Sequence, residues 1–284
     1  MFITPRELPS VPPSLPVSRT IRPQWTNQDA ARFARQLGVE APAKEFEPWW
    51  VCRKDGDCVE IYRATHSVRV TRAAFDREGT AIRPEQIPSD DAVVERANQF
   101  VKDLRDIHRS EPLSPKISRL ETMTQAPGGP RGSIRTVAVQ VNYRFALDGL
   151  PLLGPGAKAQ VTIGRSGDIE QAYLFWRQSE HTGQQWTTRP AAAALAALAE
   201  SPFLAPVIRT GDAEVLRIQL GWLSLPPTIV QDTFFPVYEI RGHFVAEIDA
   251  GRERDFVVYI AAAARTPPPD PGNTTARWPA LVIA

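Results

Sequence analysis

The sequence predicts an α+β protein built of tandem units, each with one helix packed on a curled antiparallel β-sheet. Three times an amphipathic helical pattern is followed by three or four strands of alternating apolar residues, over residues 26–75, 89–177 and 188–262. A helix and a sheet that are each apolar on one side bury those sides against each other in two layers. At 284 residues the chain is long enough for several such cores.

The clearest strand signals lie between residues 137 and 177. Apolar and polar side chains alternate over residues 137–145 and again over 159–163, which is typical of half-buried strands. Asp148-Gly149 predicts a turn between these two strands. The run over residues 168–177 is apolar on both sides, so we expect it in the centre of a sheet.

The composition is that of a folded protein without a strong charge bias. Hydrophobic residues make up 43% of the chain, charged residues 23%, and the net charge is +1. These values exclude a mainly disordered chain and give no electrostatic case for a nucleic-acid partner. No window has the roughly 18 consecutive apolar residues of a membrane span. The start of the chain does not resemble a signal peptide, so the compartment stays open, with an extracytoplasmic one favoured if a targeting segment has been removed.

The first unit covers residues 26–88 and follows a proline-rich arm, residues 1–25. Such an arm is either loose or packed on the protein's own body or a neighbour. Thr26 is a typical N-cap residue and Gly38 a typical helix end, so we expect a helix between them. Strands of a small meander are expected at residues 47–52, 58–63 and 67–71.

The two cysteines lie in a predicted hairpin whose loop length decides whether they meet. A three-residue loop would place Cys52 opposite Cys58, within reach of a disulfide bond. A two-residue loop at Asp55-Gly56 would place Cys52 opposite Val59 and leave both thiols as small apolar side chains. Both alternatives stay open at this point. The pair has too few neighbouring ligands for a usual zinc site.

The second unit covers residues 89–186 and the third covers residues 187–264. Ser89 and the two aspartates after it predict the start of a long amphipathic helix, which a polar connection over residues 109–133 follows. Thr188 and Pro190 predict the start of an alanine-rich third helix. Its strands are expected at residues 214–222, 234–242, 243–249 and 255–262.

The C-terminal tail, residues 265–284, is rich in proline and ends in an apolar tip. Trp278, Leu281 and Ile283 in this tip are candidate contacts for a partner. Three alternatives stay open for the tip: it seals a sheet edge, it meets a partner, or it belongs to a disordered tail.

The second and third units resemble the PepSY-type fold. The resemblance rests on the segment YRFALDGLPL at residues 143–152, the strand and glycine run at residues 160–167, and Leu220-Gly221-Trp222 leading to residues 235–240. That fold occurs in the bacterial YycH and YycI regulatory proteins and in the propeptides of thermolysin-like and fungalysin proteases. The resemblance implies a PepSY-like or cystatin-like unit that binds or restrains another protein, usually outside the cytoplasm. It carries over no catalytic residue.

No pattern in the sequence predicts catalytic, cofactor-binding or metal-ligating residues. The glycine-containing run at residues 154–158 lacks the order of a phosphate-binding loop. The histidines show no spacing typical of a metal site: His66, His108, His181 and His243. We therefore expect a protein without enzymatic activity.

Three aromatic residues of the predicted strands form a candidate binding face: Tyr173, Trp176 and Trp222. The preferred hypothesis is a non-enzymatic protein-binding or assembly module, regulatory or structural, whose sheet edges and proline-rich ends contact a protein partner or a second copy of the chain. The alternative is an extracytoplasmic protein that binds a small molecule or glycan on the aromatic face. A third hypothesis, a hydrolase, would be favoured by Ser, His and Asp side chains clustered in a cleft.

Overall fold

Sixteen strands and three helices make up the part of the chain that the computed structural model describes, which is residues 2–3, 8–21, 24–73, 88–108, 116–125, 135–164, 167–199, 213–246 and 252–264. The helices are α1 (Asn27–Gln36), α2 (Asp90–His108) and α3 (Ala191–Ala199). The first strands are β1 (Phe2–Ile3), β2 (Ser14–Ile21), β3 (Lys44–Glu45), β4 (Trp49–Lys54), β5 (Asp57–Tyr62), β6 (Val68–Thr71), β7 (Lys116–Gln125) and β8 (Arg135–Arg144). The others are β9 (Ala146–Leu147), β10 (Leu150–Leu153), β11 (Lys158–Ile163), β12 (Ile169–Phe175), β13 (Gln178–Thr187), β14 (Ala213–Leu223), β15 (Phe235–Ala246) and β16 (Arg252–Ala261).

The predicted α+β architecture of tandem helix-on-sheet units is wrong, because the protein is mostly β and its strands form three shared sheets. Strand β6 of the first predicted unit pairs with β12 of the second, across the expected boundary at residue 88. Strand β10 of the second unit pairs with β14 of the third. A short meander leaves unpaired backbone groups at its edges, and here those edges are closed by strands from elsewhere in the chain.

The three predicted helices are confirmed, since their end signals act over a few residues. Thr26 caps α1 in a capping box: its hydroxyl accepts a hydrogen bond from the Asp29 backbone N–H, and the Asp29 carboxylate accepts one from the Thr26 N–H at 2.8 Å. The hydrogen bond from the Thr26 backbone N–H, followed by one from the Thr26 hydroxyl, lowers the pKa of Asp29. Gly38 follows α1 with φ of 83°, the left-handed geometry that suits glycine.

The first large sheet has eight strands in the order β3-β4-β5-β6-β12-β11-β8-β7, and all its neighbours are antiparallel. One face is apolar and buried, and helices α1 and α2 cover it. The Trp50 indole donates a hydrogen bond to Asn27 of α1 at 2.7 Å, and the Tyr143 hydroxyl donates one to Asn98 of α2 at 2.8 Å. Each large apolar side chain buried in this core contributes about 1.5–3 kcal/mol.

The second large sheet has six strands, with β16-β15-β14-β10-β9 in order and β1 beside β14. The contacts of β14 with β1 and β10 are parallel, and those with β15 are antiparallel. Residues such as Trp222, Tyr238 and Ile240 form a buried apolar face, which lies towards α3. The Tyr238 hydroxyl donates a hydrogen bond to the Arg189 carbonyl, just before α3, at 2.6 Å.

The N-terminal arm packs on the protein's own body. Strand β2 pairs with β13 along one edge, from Ser14 opposite Thr187 to Ile21 opposite Gln178. On its other edge, the backbone of Thr20 donates to Asp232 at 2.8 Å, and the Ser18 carbonyl accepts from Phe234 at 3.0 Å. Residues 14–21 of the arm therefore form an inner strand and are not part of a loose leader.

Several strands differ from the predictions. Strand β7 lies within residues 109–133, where we expected a connection, and β13 lies where no element was expected. The two strands expected at residues 234–242 and 243–249 are one continuous strand, β15. Strand β13 reads QSEHTGQQWT, and because most of its residues are exposed, it lacks the apolar alternation by which strands are recognised.

Candidate functional site

A groove of about 370 Å³ lies between the two large sheets. One wall is the polar face of the eight-stranded sheet, opposite to the face that the helices cover. The other wall comes from β15 and β16 of the six-stranded sheet. The side chains used below are Arg144, Lys158, Gln160, Tyr173, Glu239 and Arg241. A volume of this size is at the lower end of small-molecule sites.

The groove exists because the chain leaves the first sheet between β8 and β11 and joins the second. The excursion turns at Asp148-Gly149, with φ values of 51° and 76°, and β10 then lies beside β14. The chain returns past Gly156, where a Cβ atom would come within 1.7 Å of the Leu225 carbonyl oxygen. Only glycine allows the two segments to approach this closely.

The buried guanidinium of Arg177 holds the segment that follows β14, which packs against Gly156. It donates to the Ser224 hydroxyl at 3.1 Å and to the carbonyls of Leu225, Pro226 and Ile229 at 2.6–2.8 Å. Burial lowers the pKa of Arg177 to about 10, so the group is still charged at neutral pH. Its hydrogen bonds are directed at backbone oxygens, which gives Arg177 a structural role beside the groove.

The first wall combines amide side chains with cations. The Gln160 amide bridges two neighbouring residues on β8, donating to Gln140 at 2.9 Å and to Asn142 at 2.8 Å. Tyr173 stacks on Phe175 with ring centroids 5.4 Å apart. The Lys158 ammonium lies 6.0 Å from the Tyr173 ring centroid. This wall therefore offers both hydrogen-bonding groups and an aromatic ring.

Two cations on the first wall lie directly opposite each other on neighbouring strands. The register of β8 and β11 pairs Arg144 with Lys158, and both side chains are exposed. Neither forms a hydrogen bond or an ion pair within the described residues. Like charges directly opposite each other destabilise a sheet, so this pair lowers the stability of the unliganded protein.

The second wall is organised by a buried carboxylate. Glu239 is 2% exposed; it accepts a hydrogen bond from Arg241 Nε at 2.6 Å and one from the Tyr259 hydroxyl at 3.1 Å. Burial, followed by the charge of Glu239, raises the pKa of Tyr259 to about 12, so its hydroxyl stays a donor at neutral pH. Arg241 uses Nε for this contact, and its two Nη groups form no hydrogen bond within the described residues.

A second cationic pair lies at the edge of this wall. Arg217 on β14 lies opposite Arg241 on β15, on the face that carries Glu239. Arg217 also forms no ion pair in the part of the chain that the structure describes. Among the described lining residues, the first wall therefore carries two cations and no carboxylate, while Arg241 and Glu239 balance each other on the second wall.

Of the three residues predicted as a binding face, only Tyr173 lines the groove. Trp222 is 0% exposed and donates its indole N–H to the Leu147 carbonyl at 3.0 Å. Trp176 is 8% exposed and lies edge-on to Phe145. The two tryptophans are core residues on different segments, so the three side chains do not form one accessible face.

The cysteine hairpin has the two-residue loop, with Lys54 paired to Asp57 and Cys52 opposite Val59. Both cysteines are free and buried, and the disulfide bond between Cys52 and Cys58 is not formed. The one-residue difference in register places the two thiols on opposite faces of the sheet.

A Ser-His-Asp trio, none of whose residues line the groove, tests the hydrolase hypothesis. His181 Nδ1 lies 3.0 Å from the Ser18 hydroxyl, and its Nε2 lies 3.2 Å from the Asp148 carboxylate. These residue types match those of a serine hydrolase. However, Ser18 is 0% exposed, within the inner strand β2, so its hydroxyl cannot reach a substrate in this conformation. The trio ties β2 and β13 to the turn after β9.

A cavity of about 510 Å³ lies between the C-terminal end of α1 and the middle of α2. Several of its charged side chains form ion pairs or hydrogen bonds with other residues of the protein. Arg72 forms an ion pair with Asp57 at 2.8 Å, and Asp103 accepts a hydrogen bond from Gln99 at 2.6 Å. In sequence, its lining residues Arg72 and Asp168 lie close to residues 74–87 and 165–166, which are outside the described part of the chain. The inter-sheet groove is therefore the better candidate site.

The remaining candidate features are the C-terminal tip, a metal site and a membrane span. Trp278, Leu281 and Ile283 lie outside the described residues. Within the described ranges, His, Cys, Asp and Glu side chains form no cluster of three that could hold a metal ion. In the same residues no helix has the length and apolar character needed to cross a membrane.

The groove residues were missed because each follows an ordinary strand pattern. Residues 140, 142 and 144 are the polar side of an alternating strand, which usually faces solvent. The only sequence signal for a site was the concentration of amides and cations on that side. The second wall is about 100 residues further along the chain, and no local pattern connects the two.

Comparison with known proteins supports the fold alone. No family model matches the chain, and no curated protein matches it. The chain is similar to an uncharacterized protein from Eubacterium rectale, seen in a crystal structure, with a TM-score of 0.56 and 11% sequence identity over 88% of this chain and 85% of that chain. Such a likeness shows a shared architecture and does not bear on the PepSY resemblance or on activity.

Proposed function

We propose that this protein binds a small polar molecule in the inter-sheet groove. The observation that supports the proposal is the set of cationic donors on the groove walls that the described residues leave unpaired: Arg144, Lys158 and the Nη groups of Arg241. Folded proteins rarely place several such donors in one concave space without a partner, because the charges repel one another. Tyr173 and Gln160 add an aromatic ring and an amide that fix the orientation of a ligand.

A groove-filling variant tests this proposal. Ligand-observed NMR would be recorded with a set of neutral, anionic and cationic fragments, on the wild-type protein and on Gln160→Trp. The new indole would occupy the groove without changing its charge, so we expect a subset of fragments to bind the wild type and not the variant.

The control is Gln184→Trp, which adds the same side chain at an exposed position of β13. This variant should bind the same fragments as the wild type. If no fragment distinguishes wild type from Gln160→Trp, while circular dichroism shows that both are folded, the groove is not a binding site.

A protein-binding or self-assembly role is the second candidate, supported by the edge of the six-stranded sheet. Strand β16 pairs with β15 along one side. The other edge of β16 is paired with the chain only beyond its C-terminal end, among the described residues. There Thr188 and Arg189 pair with residues 262–263. The preceding residues of β16 pair with no other described strand, and an open edge can accept a strand from another chain.

Light scattering at several protein concentrations tests self-assembly through this edge. Assembly that increases with concentration, and is lost when charge is added on β16 by Val257→Lys, would support the candidate. A monomer at every concentration would contradict it.

A further inference from the structure

We infer that the ligand of the groove carries a doubly negative oxyanion group, such as a phosphate monoester or a dicarboxylate. This inference rests on the proposed function, because it specifies the chemical class of the ligand in the same groove. It excludes a neutral glycan as the principal ligand.

The charge balance of the walls is the first step. The lining residues include three cations, Arg144, Lys158 and Arg241, and one carboxylate, Glu239. Arg217, opposite Arg241, adds a further cation at the edge. A neutral ligand would leave the excess positive charge in place, and a single negative charge would compensate only part of it. A dianion compensates the excess of the lining residues.

The arrangement of the two cationic pairs is the second step. Arg144 and Lys158 lie on neighbouring strands of one wall, and Arg217 and Arg241 lie on neighbouring strands of the other. In each pair the register places like charges opposite each other, which is unfavourable. Glu239 offsets this for Arg241, whereas Arg144 and Lys158 have no counter-ion among the described residues. An oxyanion between the walls would form charge-assisted hydrogen bonds with Arg144, Lys158 and the Nη groups of Arg241.

The buried carboxylate is the third step, because it explains how Arg241 is held. Glu239 accepts from Arg241 Nε at 2.6 Å, and the Tyr259 hydroxyl donates to its other oxygen at 3.1 Å. Both oxygens of Glu239 thereby accept hydrogen bonds within the protein, and its single negative charge is the one already counted in the balance of the lining residues. The Arg241 Nη groups stay available as a fork, the geometry that binds phosphate or carboxylate through two hydrogen bonds.

Titration calorimetry with four probes at pH 8 and constant ionic strength tests the inference. The probes are phenyl phosphate and succinate as dianions, benzenesulfonate as a monoanion and benzyl alcohol as a neutral molecule. Phenyl phosphate is fully doubly charged at this pH, because the second pKa of a phosphate ester is about 6. We expect at least one dianion to bind about tenfold or more tightly than benzenesulfonate, and benzyl alcohol to show no binding.

The variants Arg144→Gln and Lys158→Gln should each weaken binding of the dianion by about tenfold or more. The matched control, Lys54→Gln, removes an exposed cation at the cysteine hairpin and should leave the affinity unchanged. Binding of the dianion should also weaken as salt is raised. Whichever of phenyl phosphate and succinate binds more tightly identifies the phosphate or the dicarboxylate source.

The outcomes separate this inference from the proposed function. If benzyl alcohol or another neutral fragment binds as tightly as the dianions, and Gln160→Trp abolishes that binding, the groove is a binding site and the charge class is wrong. If Arg144→Gln and Lys158→Gln leave dianion affinity unchanged, the inference is also overturned. If no fragment and none of the four probes binds in the groove, both the inference and the proposed function fail.

Discussion

At the scale of single residues, Arg144 and Lys158 show how an unfavourable pair of like charges can indicate a binding site. Each is an ordinary exposed cation on its own strand. Their register places them opposite each other, where they repel. Proteins commonly accept a loss of stability at binding sites, so a pair of this kind is better explained by a ligand than by folding.

We predict that Arg144→Gln stabilises the unliganded protein. Removing one of the two facing charges should raise the free energy of unfolding by about 0.2–1 kcal/mol, because the repulsion with Lys158 is lost. Urea denaturation at low salt measures this change, and the gain should shrink as salt screens the charges. Lys54→Gln serves as the control and should change stability by less than about 0.5 kcal/mol. A less stable Arg144→Gln protein would show that the arginine has a structural role.

The Cys52 thiol provides a second prediction, on pH and reactivity. Burial, followed by the proximity of Cys58, raises the pKa of Cys52 to about 11 from an ordinary value of 9.0. Because the pKa of the Cys52 thiol is higher in the folded than in the unfolded protein, the protonated thiol favours the folded state. This contribution to stability is fully present below pH 9 and is lost as the pH rises through 11.

At pH 8, a disulfide reagent should therefore react with the folded protein only as fast as the protein opens, and rapidly in urea. The labelling rate with and without denaturant checks this expectation. Rapid stoichiometric labelling of one thiol in the native protein would show that the site is accessible.

At the scale of elements, the N-terminal arm shows how the fold uses a segment that looks dispensable in the sequence. Strand β2 lies between β13 and residues 232–234, and Leu15, Val17 and Ser18 in it are buried. Removing the arm would expose the backbone groups of both neighbours. Assembly through the ends therefore cannot be tested simply by cutting the arm away, because the cut also removes an inner strand.

We predict that a chain lacking residues 1–24 is strongly destabilised. The deletion removes β2 together with its buried side chains, so the melting temperature should fall by more than about 8 °C or the cooperative transition should disappear. A chain that begins at residue 9 keeps β2 and is the matched control. Differential scanning calorimetry of both chains checks the prediction, and a deletion protein as stable as the control would show that β2 is peripheral.

At the scale of the whole molecule, the sheets cross the boundaries that the sequence suggested for separate units. The pairing of β6 with β12 joins residues on both sides of residue 88, and the pairing of β10 with β14 joins residues on both sides of residue 186. Strands that share one sheet also share their hydrogen bonds and core, so they are expected to unfold together.

We predict one cooperative unfolding transition for the full chain. Tryptophan fluorescence and far-UV circular dichroism should give the same urea midpoint. Both signals report on both large sheets, because each sheet contains tryptophan residues and β-strands. Two separated midpoints would indicate units that fold independently, as the tandem arrangement had suggested. Residues 26–88 expressed alone provide the complementary test and should not fold, since the edge of β6 would be unpaired.

Helix ends and tight turns could be predicted, because they depend on residues that are close together in the sequence. The helix ends at Thr26 and Gly38 and the turn at Asp148-Gly149 were all predicted, and each depends on hydrogen bonds or backbone angles within a few residues. Strand β13 was missed because exposed polar residues dominate it, and its strand conformation depends on pairing with β2.

The sequence by itself determined the three helices, most of the strands and the tight turns, because these are set by side-chain periodicity and local capping. The tertiary structure decided which strands are neighbours, that Trp176 and Trp222 are core residues, and that Arg144 and Lys158 face Glu239 and Arg241 across a groove. Strand alternation specifies which face is buried, but it does not specify which edge is paired. Edge pairing is chosen by the closure of backbone hydrogen bonds and the total burial over the whole chain, and no short segment records that choice.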